Sequence, residues 1–245
     1  MKSRIVLLSA WGAPVGAAYL KELAKIPDIE ISVVYDGNKK LLGEITRIYQ
    51  ERFGDRAPQF EPADSILEDR NVPIFSVENC NSEACLNILK QLEPSLILLG
   101  GSGIVKKPLL EIPQLGTLNC HPGILPKYRG CTCVEWAIYE DEPVGATAHF
   151  VTEEIDAGDI LKKEVMPIYK GDSYIDIRLR MFYFQAELMA TAVRELVNDF
   201  DGTMGRVEKF DWSKASYYKP IPHEKMEEVY ARIAQGNYAF ASEGI

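Results

Sequence analysis

Two side chains set two residues apart, Asn119 and His121, place an amide donor beside a group that titrates near neutral pH. Thr117 and Leu118 lead into them and Pro122 forbids a ladder from continuing, so residues 117–121 read as a strand. Alternation along a strand puts Asn119 and His121 on one face. They stand at its C-terminal end, where ligands sit in open α/β sheets. An isolated Asn-x-His is equally the look of a polar strand end. The residues beyond Pro122 tip the reading toward chemistry. Gly123, Pro126 and Gly130 bend and stiffen a loop that carries Lys127, Tyr128 and Arg129. A helical stretch at 133–141, a strand at 144–151 containing His149, and an acidic turn at 152–159 come next. That turn can return a carboxylate to the strand end that holds His121. Amide, imidazole and carboxylate together suit acyl transfer: a donor for a developing oxyanion, a group that moves a proton, and a charge that orients it.

These residues need a frame, and the rest of the chain spells one. Apolar runs at 5–8, 31–35, 73–77 and 95–99 read as strands, the first and last suited to a sheet buried on both faces. Helices are expected from Pro14 to about Lys25, from Asn38 as cap to about Phe53, and from Asn81 or Ser82 as cap to about Leu92. Residues 54–72 hold Pro58 and Pro62 and read as a loop or short helix. Strands alternating with helices imply a Rossmann-like, doubly wound, mostly parallel α/β sheet with helices on both faces. Beyond the acidic turn, 160–166 reads as a strand and 173–198 as a long amphipathic helix, with Ile175, Leu179, Phe182, Ala186, Met189 and Val193 as its core stripe.

Composition excludes little but narrows partners. The 245 residues are 47% hydrophobic and 26% charged, enough for one sizeable core. A formal charge of −9 argues against a nucleic-acid partner, and no apolar run reaches the length of a membrane span. The start leads into a strand rather than a signal peptide, and five cysteines without extracellular context read as reduced thiols, so a cytoplasmic location is expected. Cys131-x-Cys133 lacks the usual zinc spacing, and no metal is expected.

Several blocks then agree in order: 119–126 (NCHPGILP), Tyr128-Arg129-Gly130, 145–151 (GATAHFV) and 156–161 (DAGDIL). This pattern resembles the signature of the folate-dependent formyltransferases, a family that includes glycinamide ribonucleotide transformylase, methionyl-tRNA formyltransferase and the sugar N-formyltransferases. The resemblance is firm from about Leu96 to Gly202 and holds in outline from Arg4. It implies the formyltransferase fold over 1–205, with 206–245 as a short C-terminal extension, and Asn119, His121 and Asp156 as the catalytic trio. It further implies 10-formyltetrahydrofolate as co-substrate, held along Ser102, Gly103, Ile104 and Val105 and along Thr152, Glu153, Glu154 and Ile155. Trp11, Lys127, Tyr128, Arg129 and His149 are candidates to contact the acceptor amine.

Departures from the family pattern bear on that amine. The turn after the first strand, Trp11-Gly12-Ala13-Pro14, lacks the glycine- and serine-rich phosphate loop of glycinamide ribonucleotide transformylase. Trp11 serves there as a stacking surface or as core. Residues 206–245 are too few for the barrel of methionyl-tRNA formyltransferase, and Tyr217-Tyr218-Lys219-Pro220 within them either stacks on a ligand or packs. The expected activity is therefore formyl transfer to a small primary amine, a nucleotide-linked amino sugar first and glycinamide ribonucleotide second. Formyltetrahydrofolate hydrolysis and a non-catalytic folate-binding module remain as alternatives; the hydrolases usually carry an extra N-terminal regulatory domain. The long helix would suit the face of a homodimer.

Overall fold

The computed structural model describes residues 3–67 and 72–243. Strand β1 (Ser3–Ala10) turns into helix α1 (Pro14–Leu23), where proline at the first position forfeits only an N–H that lacks a helical partner. Strand β2 (Ile29–Asp36) precedes α2 (Lys39–Phe53), capped by Asn38, whose side-chain oxygen accepts from the N–H groups of Lys40 and Leu41. Then come α3 (Ala63–Ile66), β3 (Ile74–Val77), α4 (Glu83–Leu92), β4 (Leu96–Gly100) and α5 (Lys107–Leu110). Ser82 caps α4, leaving Asn81 free for another task. The expected loop over 54–72 holds a single 3-10 turn, Gly54–Arg56, and α3; its residues 68–71 lie outside the described residues.

The second half runs β5 (Gly116–His121), β6 (Tyr128–Gly130), α6 (Cys133–Tyr139), β7 (Gly145–Phe150), β8 (Ile160–Val165), β9 (Ile168–Tyr169), α7 (Tyr174–Asn198) and α8 (Phe200–Met204). It closes with β10 (Ser216–Tyr218), α9 (His223–Ala234) and β11 (Ala241–Ser242). Seven strands form the main sheet in the order β3-β2-β1-β4-β5-β7-β8. Pairings from β3 through β5 are parallel, whereas β7 runs antiparallel to both β5 and β8. Because β2 lies on one side of β1 and β4 on the other, chain direction reverses at β1/β4. A crevice for ligands opens at the carboxyl ends there.

Strand alternation fills both faces. Ile5 and Leu7 of β1, Val33 of β2 and Leu96 and Leu98 of β4 join α1 and α7 in the larger core, while Val6, Leu8, Val34 and Ile97 join α4 and α5 on the opposite face. This is the mostly parallel, doubly covered sheet expected. The stripe of α7 is displaced from expectation at its start: Ile177 and Met181 are buried, but Ile175 and Leu179 only in part. The first turn runs along the rim, where Tyr174 meets Tyr230 edge-on and Asp176 pairs with Arg56.

The last stretch is tied back onto the site-bearing half. Strand β10 adds parallel to β6, the Tyr218 ring stacks on Tyr128, and Trp136 Nε1 donates to the Lys219 carbonyl. Tyr217-Tyr218 thus splits its roles, with Tyr218 packed and Tyr217 exposed. Among the described residues, no helix is long and apolar enough to cross a membrane.

Leu98 is fully buried at the middle of the sheet. Leu98→Ala is expected to lower unfolding free energy by about 2–5 kcal/mol, measured by urea titration. A loss below about 1 kcal/mol would place that strand outside the core.

Candidate active site

The antiparallel seam between β5 and β7 assembles the site. Register sets Asn119 directly opposite His149 and His121 opposite Thr147, and side chains of such pairs stand together on one face. Thr147 pins the loop after β5: its hydroxyl donates to the Gly123 carbonyl (2.7 Å) and accepts from the Leu125 N–H (3.1 Å). Gly123 is required here, since a Cβ would lie 2.7 Å from His121 Nε2.

Hydrogen bonds assign the protons. His149 Nδ1 lies 2.8 Å from the Phe150 carbonyl, which only accepts, so Nδ1 carries the hydrogen. Burial is the main cause that holds the His149 pKa down to about 4, with the Asp156 charge opposing it and His121 reinforcing it. The ring is therefore neutral near pH 7, and its bare Nε2 faces Asn119 Nδ2 at 3.4 Å. That contact, long for a hydrogen bond, turns the amide so that its second N–H is left to donate elsewhere. His121 is the mirror case. Its Nε2 donates to the Tyr128 carbonyl (2.8 Å), which leaves Nδ1 to face Asp156 Oδ2 at 3.4 Å.

Asp156 sits at the end of the loop from β7, at φ +49°, a left-handed conformation that aspartate tolerates. Its Oδ2 accepts from the Gly130 N–H (3.0 Å) and its Oδ1 lies 3.8 Å from His149 Nε2. Gly130 itself is at φ +92°, where a Cβ would run into the Tyr218 carbonyl. One carboxylate is thus shared by two buried histidines and a backbone donor.

Two cavities meet at this cluster. One, of about 190 Å³, lies between the strip 101–105 and the turn 151–156 and also touches Asn119, His149 and Asp156. Every residue expected to hold the folate, from Ser102 to Val105 and from Thr152 to Ile155, lines it. Ile104 (74% exposed) and Ile155 (44%) offer apolar side chains at its mouth, fitting a flat aromatic ring. Asn81 holds the strip in place, donating to the Ile104 carbonyl (2.9 Å) and accepting from the Lys106 N–H (2.8 Å). The second cavity, about 220 Å³, opens beyond Asn119 between α1, α2 and α7.

Several residues expected at the acceptor have other tasks. Tyr128 is core, its hydroxyl on Glu140; Lys127 pairs with Glu142 (3.0 Å). Arg129 makes no ion pair among the described residues. It is buried, donates twice to the Ile155 carbonyl (2.6 and 3.1 Å), and its charge lies over the rings of Trp212, Phe210 and Tyr217. Trp11 is half-exposed, with Tyr35 edge-on to its ring, and borders neither cavity. His149 stands behind Asn119, within the cluster of Asn119, His121 and Asp156. Arg52, Arg178, Tyr49 and Gln185 line the second cavity and were not anticipated. A signal for two of them exists: Arg178 and Gln185, seven apart, interrupt the buried stripe of α7 with polar groups on one face.

Known proteins resemble this chain in sequence and in fold. Residues 28–193 match the family described as Formyl transferase. The methionyl-tRNA formyltransferase of Clostridioides difficile (strain 630) is 27% identical over 173 residues, 69% of this chain and 56% of its own length. The chain spans from 41% to 63% of such curated relatives. Among solved structures, a sugar N-formyltransferase from Shewanella sp FDAARGOS_354 superposes with a TM-score of 0.60 at 20% identity, covering 89% of this chain and 77% of that one. Glycinamide ribonucleotide transformylase 1 from Symbiobacterium toebii gives 0.59 at 21% identity, covering 86% and 95%.

The depressed pKa of His149 has a consequence for folding. Unfolded, its ring titrates near 6.5, so between about pH 6.5 and 4 the unfolded chain binds the extra proton and stability falls as pH falls. His149→Gln should remove about 3 kcal/mol of that acid sensitivity, read from urea titrations at pH 7.5 and 4.5. Equal acid loss in variant and parent would mean that His149 is not held neutral.

Proposed function

This chain belongs to the formyl transferase family, and on that premise we propose that it carries the formyl group of 10-formyltetrahydrofolate to a primary amine, foremost on a nucleotide-linked amino sugar. One observation carries the reading: Asn119 lines both cavities. A folate lying along 102–105 and 152–155 brings its formyl group to that amide from one side, and an amine reaches it from the other.

The amine lone pair attacks the formyl carbon, a C–N bond forms, and the formyl oxygen takes up negative charge. Asn119 donates to that oxygen with the N–H that His149 leaves free. Asp156 lines the folate cavity and accepts the proton that the attacking nitrogen sheds. The C–N bond to the folate nitrogen then breaks, and that nitrogen takes up a proton, so the transfer neither consumes nor releases protons. His121 lines neither cavity, and its Nε2 is committed to Tyr128. Its part is to face Asp156 with Nδ1 and so orient that carboxylate. Arg129 positions the turn that presents Asp156.

A tRNA-borne amine is the second reading, favoured by the resemblance to methionyl-tRNA formyltransferases. A net charge of −9 weighs against it, because binding a phosphate backbone rests on cationic surface. Small-molecule chemistry in the cytoplasm fits the acidic composition and reduced cysteines better.

The test is release of tetrahydrofolate from 10-formyltetrahydrofolate, followed by absorbance with aminated sugar nucleotides, glycinamide ribonucleotide and no acceptor. Acceleration by one amine supports transfer. Equal release without any amine indicates hydrolysis, and folate binding without release indicates a binding module. Asn119→Ala is expected to cost about 10²–10³ in turnover and Asp156→Asn about 10²–10⁴, with folate affinity kept. Arg129→Met should cost about 10² through a misplaced turn. Undiminished turnover in Asp156→Asn would sink the assignment.

A further inference from the structure

The cavity beyond Asn119 is walled by rings, Tyr19, Tyr49 and Phe182 among them, yet two guanidinium groups also face it. Arg178 is 6% exposed, and its Nε has no hydrogen-bond partner among the described residues. Its one carboxylate neighbour within ion-pair range is Glu135, 3.7 Å from a terminal nitrogen. Glu135 is itself buried and accepts from the Tyr174 hydroxyl at 2.6 Å. Burial alone would raise the Glu135 pKa, but Arg178, Arg52 and the Tyr174 bond outweigh it and hold the acid below its ordinary range. Glu135 is therefore a carboxylate, and it answers one guanidinium.

The other goes unanswered. Arg52 lies at the last turn of α2, and among the described residues its side chain makes no hydrogen bond and no ion pair within 4 Å. Burial and the like charge of Arg178 press its pKa down, with Glu135 only partly offsetting them. A tie between α2's end and α7 does not explain Arg52, since Arg56 already makes that tie to Asp176 at 2.8 Å. Two guanidiniums against one carboxylate leave a positive charge in an aromatic-walled space, an expensive arrangement unless something negative enters. The planar fork of arginine matches carboxylates and phosphates.

Building on the formyl-transfer reading, we propose that this cavity receives the acceptor amine and that Arg52 and Arg178 grip an anionic group, a carboxylate or a phosphate, carried by that same molecule. One volume of about 220 Å³ is bordered by Asn119 and by both arginines, so a single molecule can meet all three. A nucleotide-linked amino sugar meets the requirement through its pyrophosphate or a ring carboxylate. An amine with neither does not.

The test has a binding arm and a kinetic arm. In the first, inorganic phosphate and malonate are titrated into the whole protein and into Arg52→Gln, and the melting temperature is followed. One of the two anions should raise the midpoint of the parent by several degrees and leave Arg52→Gln unmoved; which one succeeds distinguishes phosphate from carboxylate. Arg178→Lys, which keeps the charge opposite Glu135, should bind the same anion more weakly while folding normally. In the second arm, Arg52→Gln should raise the KM for an anionic amine by about 10- to 100-fold. The KM for 10-formyltetrahydrofolate should stay put. Equal stabilisation of parent and Arg52→Gln by both anions, no stabilisation of either, or an unchanged KM for the anionic amine would overturn the anion site. Arg52-dependent anion binding with no amine formylated would uphold it and overturn formyl transfer instead.

Discussion

Every side chain of the candidate cluster depends on one backbone register, the antiparallel pairing of β7 on β5. That seam sets His149 against Asn119 and Thr147 against His121, and the turn that leaves β7 is the one that carries Asp156 back. A slip of one residue would send each of these side chains to the opposite face and into the core beneath α7. The other strands around β5 are parallel and need helical crossovers to connect. The reversal in the sheet and the candidate chemistry therefore occur at the same seam.

Low exposure makes the polar accounting at that seam strict. A buried carboxylate is tolerable when its oxygens are answered, and Asp156 finds the Gly130 N–H, His121 and His149. Two imidazoles beside one carboxylate would compete for a proton if they were alike. Their carbonyl bonds make them different: His149 spends its hydrogen on Phe150 from Nδ1 and presents a bare nitrogen to Asn119, whereas His121 spends its Nε2 hydrogen on Tyr128 and turns Nδ1 to Asp156. One ring therefore sets the direction of an amide and the other turns its free nitrogen to the carboxylate. The cage of Trp212, Phe210 and Tyr217 around Arg129 extends the same logic outward, holding a cation by ring faces so that its N–H groups fasten the carbonyl just before Asp156.

Legibility in the sequence tracks the range of the forces involved. Strand runs, the Asn38 and Ser82 caps and the Asn-x-His face are local, and the structure places them within a few residues of expectation. The acidic turn was readable as a source of a carboxylate, but only the family resemblance singled out Asp156. The meaning of Tyr128 and Arg129 was hidden because partners arrive from far along the chain: Tyr218 stacks on Tyr128 from ninety residues away, and Trp212 covers Arg129. Arg178 and Gln185 were masked differently. A helix scored for its apolar stripe does not announce the polar residues on the same stripe, although these are the ones a cavity needs.

The electrostatics of the whole chain and of the second cavity point in opposite directions, and the scale of screening reconciles them. With a net charge of −9, an anionic acceptor is repelled at long range, but over a Debye length of about 8 Å at physiological salt that repulsion fades. Inside the cavity the arginines act through a few ångströms of aromatic surroundings, where screening is weak. Recognition is thus shifted from steering to fit: polyanions, whose charge extends beyond the cavity, meet the acidic exterior, while a small molecule with one well-placed anion reaches the guanidiniums. A neutral amine of the same shape would leave the arginines uncompensated, so the cavity discriminates as much by what it rejects as by what it holds.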